Sequence, residues 1–445
     1  MIRPSLTASL AHSILVAAFA VSAAAYPGAE TPEQNFLILL ADDLGVDLVE
    51  CYGVGNDAPP TPSIGKLATM GLKFINTWSY TRCSPSRATL QSGRFGFHTG
   101  IGTGVVDNPG HFGLPLEETL LPELLDATHV SGCFGKWHLQ SPDVGGAMAP
   151  NLQGYDHYSG ALDIIRTEEE YFAFEKTTNG VPEMVEEYIL THTVNDALEW
   201  IGEQDGPWLC SLNLHVPHAP VHTPPTELHS FGTDLPDDRT KYKAAVEAMD
   251  TEIGRMLAEL GGEVLANTTV IFMGDNGSEP ALSPPPITQS NGKGTLYEPG
   301  IRVPMIVVGP DVAQPGREIL GVTCITDVWA TLAEIVGVDT TGIPTDSISF
   351  LPHLNSSALL GAPVRSYAFV ERFIPNGIGP NPDAFRAIRN QRFKVHRTPT
   401  GDEFYDLALD PLENNNLLDT GTPLLPAFDA IYQDLVTELE AILAS

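Results

Sequence analysis

The sequence predicts an α/β protein: a large mixed sheet between helices, then a small antiparallel sheet plus a helix. Three observations predict it. Continuous apolar runs of strand length occur at 35–41, 208–214, 268–273 and 302–308, as buried strands of a mainly parallel sheet require. Residues 242–260 place Ala245, Val246, Met249, Ile253, Met256, Leu257 and Leu260 on one helical face. After about residue 363 the pattern changes to short alternating segments at 367–371, 385–389, 393–396 and 404–407, and 427–443 reads as a closing helix.

With 445 residues, the chain is long enough for one large domain and a smaller one, divided here as 26–362 and 363–445. Its 56 acidic and 23 basic residues give a net charge of −33, which disfavours a nucleic-acid partner. Residues 1–25 read as a secretory signal: Arg3, then a short apolar core at 14–21, then Ser22-Ala23-Ala24-Ala25. That core is too short to span a bilayer and no other stretch is long enough. A periplasmic or secreted protein is expected, with no stable membrane insertion after signal cleavage. Cys51, Cys83, Cys133, Cys210 and Cys324 are odd in number and scattered, so no disulfide framework is expected.

The chemistry-bearing residues follow the predicted strands in order. The run 35–41 ends in Asp42-Asp43, and adjacent carboxylates at a strand end suit a hard cation that takes oxygen ligands. Residues 61–68 read as a helix with Pro62 near its start, and 74–80 as an extended segment. In Cys83-Ser84-Pro85-Ser86-Arg87, a helix opening at Ser84 or Pro85 puts the thiol at its N-terminus. Unpaired N–H groups favour an anion there, and Arg87 lies one turn on. Residues 116–127 read as an amphipathic helix, with Pro122 near its middle or marking a second start. Residues 130–135 form a strand, after which Lys136 and His138, two apart on extended backbone, share a side where they can grip an anion and move a proton. The strand 208–214 runs into His215, His218 and His222 between prolines. A His-rich loop also suits a transition metal. Asp275-Asn276 ends the strand 268–273 as a second pair of oxygen ligands, and Lys293 stands between Gly292 and Gly294.

These motifs together resemble those of the type I sulfatases. Cys83-Ser84-Pro85-Ser86-Arg87, followed by Ser92-Gly93-Arg94, matches the signature Cys-x-Pro-x-Arg with its downstream Thr/Ser-Gly-Arg. Ala41-Asp42-Asp43-Leu44-Gly45, Gly135-Lys136-Trp137-His138-Leu139, Pro217-His218-Ala219-Pro220, Gly274-Asp275-Asn276-Gly277 and Gly292-Lys293-Gly294-Thr295 match further family runs. The segment Thr61-Pro62-Ser63-Ile64-Gly65 departs from its counterpart by lacking an acidic residue. Residues 322–336, with Asp327 inside, correspond to a structural helix in the family, and no catalytic part is assigned to them.

The resemblance implies an alkaline-phosphatase-like fold and a sulfuric ester hydrolase of arylsulfatase type. It implies that Cys83 is oxidised to Cα-formylglycine by a formylglycine-generating maturation enzyme. One Ca²⁺ would then be held by Asp42, Asp43, Asp275, Asn276 and an oxygen of the modified Cys83. Arg87, Lys136, His218 and Lys293 would neutralise the sulfuryl oxygens, and His138 would act as base. The substrate would be a sulfated small molecule or glycan. Two other readings fit the residues: a phosphonate or phosphodiester hydrolase on the same fold, and a non-catalytic binder of sulfated glycans.

Overall fold

The computed structural model describes residues 34–283, 285–356, 363–419 and 421–445; the expected signal at 1–25 lies outside them. The strand β1 (Asn35–Ala41) occupies the middle of a ten-stranded sheet. The other nine are β2 (Leu72–Trp78), β3 (Val130–Gly135), β4 (His157–Gly160), β5 (Phe174–Thr178), β6 (Val181–Val185), β7 (Trp208–Asn213), β8 (Thr268–Gly274), β9 (Arg302–Val308) and β10 (Arg317–Cys324). Their spatial order is β10-β2-β9-β8-β1-β7-β3-β4-β5-β6. Only β5 and β9 run against the rest.

The continuous apolar character of β1 has a direct cause. Side chains alternate along a strand, so Phe36, Ile38 and Leu40 enter one core while Leu37, Leu39 and Ala41 enter the other. Helices cover both faces. On the second face lie α1 (Pro62–Met70), α3 (Ile189–Gly202) and α4 (Asp238–Ala266); on the first lie α2 (Cys83–Ser92) and α5 (Asp327–Val336). The helix α4 is capped by Asp237, whose carboxylate accepts the Thr240 N–H at 2.8 Å. It is interrupted at Gly261 (φ 74°, ψ 166°), one residue past the end of the apolar stripe read from sequence.

A four-stranded antiparallel sheet follows: β11 (Ala368–Arg372), β12 (Phe385–Arg389), β13 (Phe393–Thr398) and β14 (Gly401–Asp406). The closing helix α6 (Pro426–Leu443) packs Leu435 and Leu439 onto Phe393, Val395 and Phe404. The small sheet seals onto the large one through Trp78, Val322, Cys324, Ala368, Val370 and Ala387. All five cysteines are free thiols, and none of the helices among the described residues is long and apolar enough to cross a membrane.

Two expected helices are shorter than read. Only Leu121–Leu125 is helical within 116–127: Pro122, with no N–H for an interior turn, marks a start, the second of its two readings, and residues 116–120 are not helical. Residues 322–324 belong to β10, and Asp327 opens α5, where its carboxylate accepts the Cys324 N–H at 2.9 Å.

Candidate active site

Four neighbouring parallel strands, β8, β1, β7 and β3, deliver their C-terminal ends to one rim of the sheet. In open α/β sheets that rim is where ligands gather. Asp42 and Asp43 leave β1 there, and both are buried. Asp43 takes a positive φ of 66°, which turns its carboxylate inward while the Tyr242 hydroxyl donates to its carbonyl at 2.6 Å. Its N–H donates to Asp275 Oδ1 at 3.0 Å, joining the ends of β1 and β8.

Cys83 is the first residue of α2, and its Sγ lies 3.1 Å from Asp42 Oδ1 and 3.8 Å from Asp43 Oδ1. Burial, then the Asp42 charge, push its pKa well above that of a free thiol, so the sulfur is neutral. Arg87, one turn on, is held by the Lys136 carbonyl at 2.9 Å and by Asp275 Oδ2 at 3.0 Å.

Lys136 reaches Asp42 Oδ2 at 2.6 Å, and Lys293 reaches Asp43 Oδ2 at 2.5 Å. Burial opposes the charge on both ammonium groups, but the facing carboxylates outweigh it and raise both pKa values. The same contacts act back on Asp42. Burial alone favours its neutral form, yet Lys136, His218 and Arg87 hold its pKa well below the usual range. In Asp275, burial followed by the Asp42 charge prevails and the pKa rises.

The strand β3 stops at Gly135 (φ 84°), and His138 takes a φ of 60°. Its direction is therefore set by a turn and not by strand alternation, which corrects the geometry expected for Lys136 and His138. His138 Nε2 lies 3.1 Å from the Val105 carbonyl, which can only accept, so Nε2 carries the hydrogen. Burial, then Lys136 and Arg87, lower its pKa well below that of a free imidazole. The ring is neutral, and the buried Nδ1 atom is bare and has no partner.

His218 places Nε2 3.9 Å from Asp43 Oδ2. His215 and His222 lie in the interior but serve differently. His222 stacks on Tyr171 and shares a hydrogen bond of 2.8 Å between its Nε2 and the Tyr188 hydroxyl. His215 is buried with neither ring nitrogen paired, and burial first, then Lys136, lower its pKa to about 3.

Ligand-capable atoms of Asp42, Asp43, Cys83 and His218 all lie within 4.8 Å of one another. Among the described residues neither His215 nor His222 joins them, so the loop brings one imidazole to the cluster. The donor set fits a hard cation. Asn276 Nδ2 donates to Asp43 Oδ1 at 2.8 Å, which leaves the buried Asn276 Oδ1 with no hydrogen-bond partner beside the carboxylates. The three carboxylates Asp42, Asp43 and Asp275 face the three cations Arg87, Lys136 and Lys293. A divalent cation added to this balance would make the site net positive, as an anionic substrate requires.

The profile of the sulfatase family matches residues 34–338. The chain belongs to the sulfatase family. It is 26% identical over 447 residues to arylsulfatase A of Homo sapiens, covering 90% of this chain and 80% of that one. It is 30% identical over 378 residues to N-acetylgalactosamine-6-sulfatase of Homo sapiens, covering 76% and 69%. Among solved structures it resembles Ps i-CgsB in complex with k-i-k-neocarrahexaose, with a TM-score of 0.78, 22% identity and 92% of both chains covered. A second structure, solved with its substrate D-glucosamine-2-N,6-O-disulfate, gives 0.72 at 19% identity, covering 93% of this chain and 97% of the other. These two support the alkaline-phosphatase-like fold; the family makes this sulfatase a sulfuric ester hydrolase.

Several residues that shape the sulfatase site escaped the sequence reading. Ser84 accepts the Val105 N–H and donates to the His138 carbonyl, both at 2.9 Å, so the signature helix fixes the segments on either side of the imidazole. Asp47 is buried against Ser278, whose hydroxyl lies 2.8 Å from its Oδ1 and 2.9 Å from the Gly45 N–H. Ser84 stands inside the signature and Asp47 four residues past Asp43, but neither type in isolation distinguishes a brace from a surface polar residue.

Proposed function

We propose that this sulfatase hydrolyses an aryl or carbohydrate sulfate ester, with Cys83 converted to Cα-formylglycine by a maturation enzyme and with one Ca²⁺. The observation that carries this is the convergence of Cys83 on Asp42 and Asp43, with Arg87 and Lys136 on the first and His218 and Lys293 on the second. Asp42, Asp43, Asp275, Asn276 and an oxygen of modified Cys83 would hold the ion, which supplies positive charge to polarise the sulfate. The hydrated aldehyde supplies an attacking oxygen and a second hydroxyl.

The chain's own groups do the rest. Arg87, Lys136, His218 and Lys293 bind and neutralise the sulfuryl oxygens as the alcohol leaves. His138, neutral and bare at Nδ1, takes the proton of the remaining hydroxyl so that sulfate departs. The relatives named N-acetylgalactosamine-6-sulfatase and the structure holding a sulfated glucosamine favour a sulfated saccharide among these esters. The signal at 1–25 would export the chain to the periplasm or medium, leaving a catalytic domain at 26–362 and a C-terminal subdomain at 363–445.

Mass analysis of the Cys83 peptide, paired with sulfate release, tests the reading. Active protein should carry the aldehyde at residue 83, and chelation should stop turnover until Ca²⁺ is restored. Full activity in protein with only unmodified thiol, or stoichiometric zinc in active protein, overturns it.

A further inference from the structure

Cations are scarce in this chain, and two of them stand together without a carboxylate beside the site. Arg82, immediately before Cys83, is exposed. Arg372, on β11, donates through Nη1 to the Gly294 carbonyl at 3.1 Å. Among the described residues neither arginine forms an ion pair with an acidic side chain, whereas Arg87, Lys136 and Lys293 all do. The two meet at Gly294: a β-carbon there would lie 3.4 Å from Arg82 Nη2. Arg372 has a lowered pKa, from burial first and from Arg82 second, as facing like charges require.

Gly294 ties this pair to the reaction centre. Its N–H donates to the Thr81 carbonyl at 2.9 Å, and the preceding Lys293 lies on Asp43. Beside it opens a cavity of about 390 Å³ lined by Arg372, Tyr297, Phe385, His396, Thr400 and Glu403. The Arg372 guanidinium stands 5.8 Å from the Phe385 ring centroid, and Phe385 as a residue is 36% exposed, leaving area on which a sugar can pack. Glu403, the one carboxylate in the lining, accepts through Oε2 from Tyr297, Tyr405 and His396 at 3.0, 3.0 and 3.1 Å. Among the described residues it forms no ion pair with either arginine.

We infer that Arg82 and Arg372 hold a second anionic group of the substrate, a sulfate or carboxylate on the same saccharide, whose ring lies against Phe385. This rests on the sulfatase reading and narrows it to saccharides that carry an anion besides the ester being cleaved. Two planar guanidinium groups, of which Arg372 is anchored on the Gly294 carbonyl, suit such an oxyanion.

The test reads binding in the full-length Cys83→Ala chain, so that turnover does not enter. Calorimetry at one fixed ionic strength compares a disaccharide bearing a single sulfate ester, the same disaccharide with a second sulfate, and the same disaccharide with a uronate carboxylate. One of the two doubly charged sugars should bind about tenfold tighter than the singly charged one, the effect of one charge-assisted contact. Which one does so identifies the anion. Arg82→Ala and Arg372→Ala should each abolish the preference, and Arg372→Lys should keep part of it. Equal affinities, no measurable binding, or a preference that survives both alanine variants in folded protein would overturn the inference. Hydrolysis of the three sugars by the unaltered, matured chain reports on the sulfatase reading separately. Turnover with equal affinities sinks only the second anion site, and no turnover of any of the three sinks the catalytic reading.

Discussion

Replacing His138 by Ala should split the proposed reaction into its two halves. Cys83, Arg87, Lys136 and Lys293 make none of their side-chain contacts with the His138 ring, so attack on sulfur and loss of the alcohol stay intact. What disappears is a base, worth about 10²–10⁴-fold. A chromogenic aryl sulfate mixed rapidly with the variant should release one equivalent of alcohol per matured site in a burst. Turnover should then continue about 10²–10⁴-fold slower than in the parent, with sulfate retained on the protein. The structural side effect is bounded. The Val105 carbonyl loses the Nε2 donor at 3.1 Å, a buried acceptor left unpaired at a cost of about 1–3 kcal/mol. A melting curve therefore accompanies the kinetics. Cys83→Ala should show no burst, and Cys83→Ser should give one equivalent and then stop. If folded His138→Ala loses the burst as completely as Cys83→Ala, the assignment is wrong and His138 belongs with the sulfate-binding groups.

Two further outcomes concern stability. Arg365 donates to Asp327 from Nε at 3.0 Å and from Nη2 at 2.5 Å, with both side chains buried, so Arg365→Ala should cost about 3–5 kcal/mol in urea unfolding by stranding a buried charge. The double variant Arg365→Met/Asp327→Asn should recover much of that, and a single-variant loss below about 1 kcal/mol would contradict the argument. Asp196 accepts from Ser159 at 2.6 Å and from Lys176 at 3.3 Å, and although burial opposes its charge, His192, Ser159 and Lys176 lower its pKa to about 2. A depressed carboxylate stabilises the fold above its unfolded pKa and loses that stabilisation as pH falls through the folded one. The loss should lie between about pH 4 and pH 2 and, after screening, be on the order of 1 kcal/mol. Asp196→Asn should flatten that part of a stability–pH curve; an unchanged acid limb would show that the contacts contribute nothing.

The sheet and its polar strand ends were readable because each depends on local pattern. A run such as Phe36 to Ala41 is apolar at every position only if both faces are covered, and it must stop where Asp42 begins. Prolines and turns decided the outcome where one residue outweighed the pattern. Pro122 settles between its two readings as a start, leaving Leu121–Leu125 as the helix within 116–127, and positive φ at Gly135 and His138 replaces the expected strand alternation. Pairings made across long stretches of chain left no local mark. Nothing near Arg82 announces Arg372, and nothing near Trp78 announces that Glu298 takes its indole N–H at 2.9 Å.

The central position of β1 also sets a timetable. Its two neighbours in the sheet are β7 and β8, the first paired through Leu209 and the second through Thr268. Both of its edges therefore wait while most of the catalytic chain is synthesised, and closing such loops is slow. Until then Asp42 and Asp43 have no rim to sit on, and the Cys83 thiol, 4% exposed once folded, lies on an open chain. If residue 83 is converted as proposed, the enzyme that converts it would reach it during this delay. Mutations that hasten sheet closure would shorten that access and yield protein that is folded, stable and unconverted.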